Sequence, residues 1–315
     1  MLIIFGFLLN WSIFATPCLV SIQPGDTILY HSLANFLSHV TGNTSVTCSI
    51  FFIILLFVQA LLLNKIINDQ KMFSKSHYLI GMSYLLVISM GVFHRQVTAA
   101  FVANTFIIWI LSMLFKLNNV HHPQKKIFNL GLLLGLTSLI YAPSLFFIFP
   151  VLFALSISRP FRLHEWIIVF LGLLTPYYFI VSINFLMDVK NINLIPSMFG
   201  FKIPFIVISN MQWVGLIVVA IISLIGVYFI QQNMRRLLVQ SRNCWSILYL
   251  FFILALVLPF LNKTASFFDW IISVGPLSVL LSSFFFYSVN KWVNLIIFWA
   301  LIGVSVAVSC FFISH

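Results

Sequence analysis

The sequence predicts an all-α polytopic membrane protein with about eleven transmembrane helices. Of its 315 residues, 62% are hydrophobic and only 7% are charged, and the mean hydropathy is +1.13. Apolar runs of about 18 to 22 residues recur along the chain, and each is long enough to cross the hydrocarbon core as a helix. The runs are apolar on every face, whereas strands of a membrane barrel alternate apolar and polar positions.

The apolar runs define the expected helices. We expect them over residues 2–22, 46–64, 77–93, 97–115, 128–141, 143–157, 166–186, 211–231, 244–261, 270–289 and 292–312. The first run lacks a basic n-region and a small-residue cleavage site, so it is interpreted as a retained helix. The fifth and sixth runs are short and meet at Tyr141-Ala142-Pro143. They form either a hairpin of short helices or one long helix broken at the proline.

The distribution of cations predicts the orientation. With the N-terminus in the cytoplasm, twelve of the sixteen Lys and Arg residues fall in short cytoplasmic segments, as the positive-inside rule requires. These residues are Lys65, Lys71, Lys75, Lys116, Lys125, Lys126, Arg159, Arg162, Arg235, Arg236, Arg242 and Lys291. The formal net charge of +11 is then explained by cations beside anionic lipid head groups, with no nucleic-acid partner.

Two outer segments are longer than a plain connection requires. In residues 23–45, apolar side chains between Ile28 and Leu37 follow helical spacing and predict a short amphipathic helix lying in the interface. The segment 187–210 is similar in kind. Because no soluble domain or internal repeat is visible, residues 1–315 are interpreted as one membrane domain.

Few groups on the outer face have catalytic chemistry. The chain has no Walker loop, dinucleotide fingerprint or serine nucleophile elbow. Three of its five carboxylates, Asp26, Asp188 and Asp269, fall in outer segments. Asp26 follows a Pro-Gly turn just beyond the first helix, where it could accept a proton or hold a divalent cation. The alternative is that Asp26 caps the amphipathic helix that follows it.

An aspartate after helix one and before an amphipathic helix resembles the pattern of the GT-C class of integral-membrane glycosyltransferases. Further similarity lies in residues 103–115, in residues 131–143, in residues 159–166, and in residues 172–177 with their Pro176. The resemblance covers about the first 190 residues, so residues 1–190 would form a GT-C-like module and residues 191–315 additional transmembrane helices. It implies Asp26 as catalytic base or metal ligand, and a sugar drawn from a polyprenyl-phosphate donor.

The chain as a whole also resembles an uncharacterised multi-pass family of Gram-negative bacteria. The similarity is carried by residues 59–65, by Ala103-Asn104-Thr105, and by residues 159–166. This resemblance implies a location in the bacterial inner membrane and no established activity.

The GT-C resemblance also assigns roles to the sparse outer cations. A lipid-linked phosphate needs positive partners, and Arg95, His94, Lys202 and Lys263 are the candidates, with a planar guanidinium at Arg95. Each lysine could equally be a snorkelling interface cation, and His94 an interfacial histidine satisfied by water. Asp26 with Asp188, joined by Asp269, is a candidate site for Mg²⁺ or Mn²⁺; the alternative for the latter two is a solvated loop acid.

The sequence thus predicts a glycosyltransferase that uses a polyprenyl-phosphate-linked sugar at the outer face of the inner membrane. The alternative is a non-enzymatic component, either an envelope-assembly scaffold with membrane-protein partners or a lipid or solute carrier. Within the helices, Gln59, Asn104 and Asn184 are expected to form interhelical hydrogen bonds. Glu165 is expected to balance Arg159 or Arg162 at the start of a helix.

Overall fold

The computed structural model describes residues 2–10, 19–20, 27–41, 45–90, 96–117, 123–159, 162–188, 200, 210–262, 266–288 and 290–314. Within these ranges the α-helices are α1 (Leu2–Leu9), α2 (Ile28–Thr41), α3 (Ser45–Asp69), α4 (Leu79–Ser89), α5 (Ala99–Phe115), α6 (Gln124–Ser138), α7 (Ile148–Ser158), α8 (Leu163–Leu186), α9 (Asn210–Asn233), α10 (Val239–Val257), α11 (Ile271–Tyr287) and α12 (Lys291–Ser314). Short 3₁₀ helices cover Ala142–Phe147, Met234–Arg236, Leu258–Leu261 and Phe267–Trp270. Two short strands, β1 (Leu19–Val20) and β2 (Gln96–Val97), pair in parallel.

The chain is a membrane protein whose described part contains six helices long and apolar enough to span a bilayer. These segments are Val46–Asp69, Leu163–Leu186, Gln212–Arg236, Val239–Leu261, Phe267–Tyr287 and Lys291–Val308. The remaining apolar helices are shorter, and α4 has only 11 residues. A helix rises 1.5 Å per residue, so 11 residues cover only about 16 Å of the hydrocarbon layer. The coarser prediction of an all-helical membrane protein is confirmed, whereas the count of about eleven spans stays a prediction.

The first expected helix ends earlier than the sequence predicts. The run 2–22 was expected to be one helix, but Leu19 and Val20 are extended and pair with Gln96 and Val97. Hydropathy reports only that a segment is apolar. An apolar segment becomes a strand where another chain segment satisfies its backbone groups, and β2 does so here.

The two short runs around Pro143 form a hairpin of short helices. Tyr141 has an extended backbone and separates α6 from the 3₁₀ helix that begins at Ala142. The chain then returns through α7 to Arg159, whose guanidinium lies 3.2 Å from the Glu165 carboxylate near the start of α8. Of the two alternatives left open by the sequence, the hairpin is therefore the one found.

Helices α6 and α8 run parallel and pack with their backbones almost in contact. Gly131 and Gly135 on α6 face Gly172, Leu173 and the preceding turn of α8. A Cβ atom at Gly135 would lie 2.5 Å from the Leu173 carbonyl oxygen, and one at Gly131 would overlap the Val169 carbonyl oxygen. Small residues four positions apart allow this close approach in membranes, where burial of apolar surface gives little drive for association.

The twelve cations predicted to face the cytoplasm lie at one end of the helix bundle, which we call the basic end. Here the loop between α3 and α4 contacts the start of α10. Gln240 donates to Gln70, Ser241 donates to the Lys71 carbonyl, and the Trp245 indole donates to the Met72 carbonyl. The odd-numbered helices from α3 to α11 end here, and the even-numbered helices from α4 to α12 begin here.

The opposite end of the bundle, which we call the bridge end, contains the β1–β2 pair. The 3₁₀ helix Ala142–Phe147 contacts the 3₁₀ helix Leu258–Leu261, which in turn contacts Phe267–Trp270. The Gly200 amide donates to the Leu261 carbonyl at this end. Cations thus mark one end of the described bundle, and loops with polar backbone pairing mark the other.

Candidate functional site

Five of the predicted site residues, Asp26, His94, Arg95, Lys202 and Lys263, lie outside the described residues. Their roles stay predictions. The structure does describe the segments that flank Asp26 on both sides and the segment that follows Arg95. The geometry of these flanking segments is therefore the information that bears on the site.

The segments that flank Asp26 are both attached to the strand that follows Arg95. Before Asp26, Val20 of β1 pairs with Val97 of β2. After it, the fully buried Tyr30 of α2 donates its hydroxyl to the Val97 carbonyl at 2.6 Å. Buried hydrogen bonds of this kind hold backbone segments in a single register because breaking one leaves a polar group without a partner.

A second hydrogen bond attaches the same segment to the α6–α7 hairpin. Thr27, which directly follows Asp26, is buried and donates its hydroxyl to the Ile140 carbonyl at 2.7 Å. The buried positions Thr27, Tyr30 and Ala34 follow helical spacing. The predicted helix after Asp26 is thus confirmed, and its inner face packs against two other parts of the chain. Its place in the membrane interface stays a prediction.

An apolar recess of about 300 Å³ begins beside this segment. We call it the α6–α8 groove. It is lined by Leu29, Leu132, Leu136, Leu139, Thr175, Pro176, Phe179 and Ile180. Thr175, the only hydroxyl side chain among the described lining residues, donates to the Leu171 carbonyl of its own helix. The groove therefore suits a hydrocarbon chain rather than water, which needs several polar partners.

Asp188 is exposed and follows the last turn of α8. Its backbone has a φ of 53° and its amide donates to the Phe185 carbonyl. In this left-handed conformation Asp is one of the more tolerant non-glycine residues. Among the described residues no group of three His, Cys, Asp or Glu side chains is placed to hold a metal ion. The metal site formed by Asp26 and Asp188 stays a prediction.

Asp269 is neither a solvated loop acid nor positioned among metal ligands in the described part of the chain. It is buried in the 3₁₀ helix Phe267–Trp270, where its carboxylate accepts from the Ser266 amide at 3.1 Å. The Asn262 side-chain amide donates to the same oxygen at 3.3 Å. Asp269 therefore closes the turn between α10 and α11, a structural use of a carboxylate near a helix start.

Two of the three predicted interhelical polar residues form one buried network. Gln59 on α3 donates to the Phe101 carbonyl at 2.9 Å and to the Thr105 hydroxyl at 2.7 Å. Its side-chain oxygen accepts from the Tyr84 hydroxyl on α4 and from Asn104 on α5. The network joins three helices, and Tyr84 is the member that sequence patterns missed, because a lone Tyr in an apolar helix is commonly an interface residue.

Asn184 is half-buried on α8, and its interhelical hydrogen bond stays a prediction. The predicted partner of Glu165 is confirmed as Arg159. This pair lies at the basic end, far along α8 from the α6–α8 groove, and serves the loop that joins α7 to α8.

His77 at the basic end is a further titratable residue without a sequence signal. Its ring lies 4.8 Å from that of Phe73 and 5.0 Å from that of Phe286, measured between centroids. Asn68 donates to the His77 carbonyl at 3.0 Å. Burial among these rings lowers the pKa of His77 below its ordinary value, because the charged imidazolium is poorly solvated there.

Comparison with known proteins gives one match. No curated protein and no solved structure matches the sequence. The expected resemblance to an uncharacterised membrane family is confirmed, while that to the GT-C class stays a prediction. A family model described as a family of unknown function, DUF6427, matches residues 26–314. The match covers every helix from α2 to α12, and the chain therefore belongs to this family.

Proposed function

We propose that the protein is a membrane-embedded transferase of GT-C type, which takes a sugar from a polyprenyl-phosphate donor at the bridge end. The basic end would face the cytoplasm, because short loops rich in Lys and Arg resist translocation. The bridge end would then face the periplasm of a bacterial inner membrane. In this orientation Asp26 and Arg95 belong to the outer face.

The observation that carries the proposal is the attachment of both flanks of Asp26 to the strand after Arg95. Val20 pairs with Val97 in the parallel strands, and the Tyr30 hydroxyl donates to the carbonyl of Val97, which lies two residues beyond Arg95. A carboxylate and a guanidinium carried on such attached segments are suited to act on one substrate. Such a pair would supply the base and the phosphate partner that transfer from a lipid phosphate requires.

The α6–α8 groove supports a lipid-linked donor. Leu29 lines it only three residues after Asp26, and the groove extends along α6 and α8 between residues expected at membrane depth. A prenyl chain in this groove would place its phosphate near the bridge end. There Arg95, His94, Lys202 and Lys263 are the proposed phosphate-binding residues, with Arg95 able to bind two oxygens at once.

The proposed step is a single group transfer. An acceptor hydroxyl oxygen forms a bond to the anomeric carbon, and the bond between that carbon and the phosphate oxygen breaks. The hydroxyl proton passes to the Asp26 carboxylate, and the bonding pair leaves with the polyprenyl phosphate. Arg95 stabilises the negative charge that develops on the departing phosphate.

A divalent cation would help to hold the donor phosphate if Asp26 and Asp188 bound it, since Mg²⁺ and Mn²⁺ take carboxylate oxygens as ligands. Asp188 is exposed and Asp26 lies outside the described residues, so the metal site stays a prediction. The step above is written with the roles of Asp26 and Arg95.

The test is sugar transfer by the purified protein in proteoliposomes, with radiolabelled polyprenyl-phosphate hexoses supplied singly. We expect Asp26→Asn to lower the rate by about 10²-fold or more, because a catalytic base contributes at least that much. Arg95→Ala is expected to cause a loss of about 10²-fold. Matched controls are Asp69→Asn and Lys75→Ala, since both residues are exposed at the basic end and should leave the rate unchanged.

Wild-type activity in both site variants would refute the assignment of Asp26 and Arg95. Absence of transfer from every donor in the wild-type protein would favour the alternative, a non-enzymatic scaffold or carrier. The described spans do not favour an ion-coupled carrier. Charged residues in the six membrane-length helices lie near helix ends, whereas such carriers place ionisable groups at mid-membrane.

A further inference from the structure

A second apolar recess lies on another side of the bundle. It has a volume of about 380 Å³ and is formed by α4, α9, α10, α11 and the 3₁₀ helix Phe267–Trp270. We call it the α9–α10 cleft. Its lining is Val87, Leu216, Val219, Ala220, Ser223, Leu224, Phe252, Leu256, Phe267, Trp270, Ser273, Val274 and Leu277. It shares no lining residue with the α6–α8 groove.

The cleft opens toward the lipid-facing surface. Its floor includes the buried side chains of Val87 and Val274, whereas Leu224 and Leu256 at its rim are 69% and 40% exposed. Both rim residues belong to helices long and apolar enough to span a bilayer. The medium around such helices at this depth is hydrocarbon, so the cleft is continuous with the protein–lipid interface.

The lining selects a hydrocarbon chain over water. Among the described residues that line the cleft, Ser223 and Ser273 are the only ones with a hydroxyl group. Both donate locally, at 2.8 Å to the Ala220 carbonyl and 2.7 Å to the Trp270 carbonyl. A buried water needs two to four polar partners, which these walls do not supply. If the recess were empty, its wall atoms would lose packing contacts. A lipid chain needs no polar partner and supplies those packing contacts.

The cleft lies in the half of the bundle nearest the bridge end. Helices α9 and α11 run parallel. Gly226 of α9 packs against the Leu280 carbonyl of α11, and on both helices the residues that line the cleft come earlier in the chain than this contact. Helix α11 starts directly after Phe267–Trp270 at the bridge end. That 3₁₀ helix also contacts α5, whose first residue follows β2 by two positions.

A chain of contacts among described residues connects the two apolar recesses through β2 and the helix that follows it. Leu29 lines the α6–α8 groove, its neighbour Tyr30 bonds to Val97, and α5 after β2 contacts the 3₁₀ helix that lines the α9–α10 cleft. Two separate lipid recesses therefore flank the segment that carries β2.

We propose that the α9–α10 cleft holds the hydrocarbon chain of the acceptor, and that the acceptor is accordingly a membrane lipid with a free hydroxyl group. This inference rests on the proposed function, in which the other groove holds the donor chain. The lipid hydroxyl oxygen bonds to the anomeric carbon, its proton goes to Asp26, and the polyprenyl phosphate leaves with the bonding pair. The product is a glycosylated lipid.

The test has a binding arm that does not depend on activity. The protein is placed in vesicles that contain phosphatidylglycerol, whose head group has free hydroxyls, with a diazirine on one acyl chain. The sample is irradiated and the cross-links are mapped by mass spectrometry. We expect cross-links on the floor residues Val87 and Val274. Ala220→Phe, which fills the mouth of the cleft, should abolish them. Ile221→Phe is the matched control, because Ile221 is exposed on the same helix but does not line the cleft.

The second arm follows the sugar. With a radiolabelled donor and vesicles of bacterial polar lipids as the only acceptor, we expect a new labelled lipid that separates from the donor by chromatography. Ala220→Phe should lose this product, while Ile221→Phe should retain it. A label that leaves the donor but never enters a new lipid would overturn the acceptor assignment and spare the proposed transferase.

The remaining outcomes also decide between the proposals. A label that never leaves the donor would refute the proposed function and the acceptor assignment together, while the cross-linking arm would still report on lipid binding. Equal floor labelling in wild type and Ala220→Phe would overturn the inference even with transferase activity present, because the cleft would then not be the site that holds the chain.

Discussion

A close contact between α6 and α8 gives the sharpest stability prediction. Replacement of Gly135 by Ala would place a Cβ atom 2.5 Å from the Leu173 carbonyl oxygen and 2.7 Å from the Pro176 Cγ atom. Carbon and oxygen atoms ordinarily approach to about 3.3 Å. Helices α6 and α8 would therefore have to separate by about 0.8 Å at this point. The obstacles are a backbone carbonyl and a proline ring, and no side-chain rotation moves either of them away.

The expected cost follows from two opposed effects. Overpacking of a close contact costs about 1–3 kcal/mol, and Ala is favoured over Gly within a helix by about 0.5–1 kcal/mol. We expect Gly135→Ala to lower the free energy of unfolding by about 1–2 kcal/mol. The assay is reversible unfolding in mixed micelles with rising dodecyl sulfate, followed by tryptophan fluorescence.

The matched control is Gly303→Ala on α12, where an added Cβ atom meets nothing within 4 Å. This variant should keep wild-type stability or gain slightly from helix propensity. Two results would refute the reasoning. One is a Gly135→Ala variant as stable as wild type, and the other is an equal loss in Gly303→Ala, which would show that the close contact is not the cause.

Three further predictions concern single buried groups. Gln59→Leu removes the shared acceptor of the α3–α5 network and should lower the free energy of unfolding by roughly 1 kcal/mol in the same assay; unchanged stability would show that the network contributes nothing. The lowered pKa of His77 means that the folded state resists its protonation, so wild-type melting temperature should fall as pH drops below 6.5. His77→Phe should flatten that pH dependence, and an identical pH profile would contradict the assignment. Tyr30→Phe removes the hydroxyl that donates to the Val97 carbonyl, at a cost of about 1 kcal/mol, and amide hydrogen exchange around residues 96–97 should become faster than in wild type.

Several features of the fold follow from local sequence alone. Burial of uncharged runs in lipid requires helices, because each backbone polar group must be satisfied within its own segment. The runs that became α3, α5, α8, α9 and α12 were therefore located to within a few residues. The clustering of cations at one end and the helix after Asp26 follow from the same local patterns.

Contacts between segments that are distant in the chain could not be predicted from these local patterns. Leucine-rich helices are apolar on all faces, so their patterns do not show which faces pair. Gln59 and Asn104 were recognisable as buried polar residues, yet their junction with Tyr84 depends on the placement of three helices. The use of Asp269 as a buried turn-closing acid likewise depends on Asn262 and Ser266 folding around it.

The sequence by itself determined that this protein is a helical membrane protein, and it determined the end of the bundle at which its cations gather. Only the tertiary structure decided that Leu19 and Val20 form a strand within the first expected helix, that α6 and α8 run parallel in glycine contact, and that two separate apolar recesses exist among the described residues. The physical reason is that transfer into lipid depends on composition along one segment, whereas helix pairing in lipid depends on shape and hydrogen bonds between segments far apart in the chain.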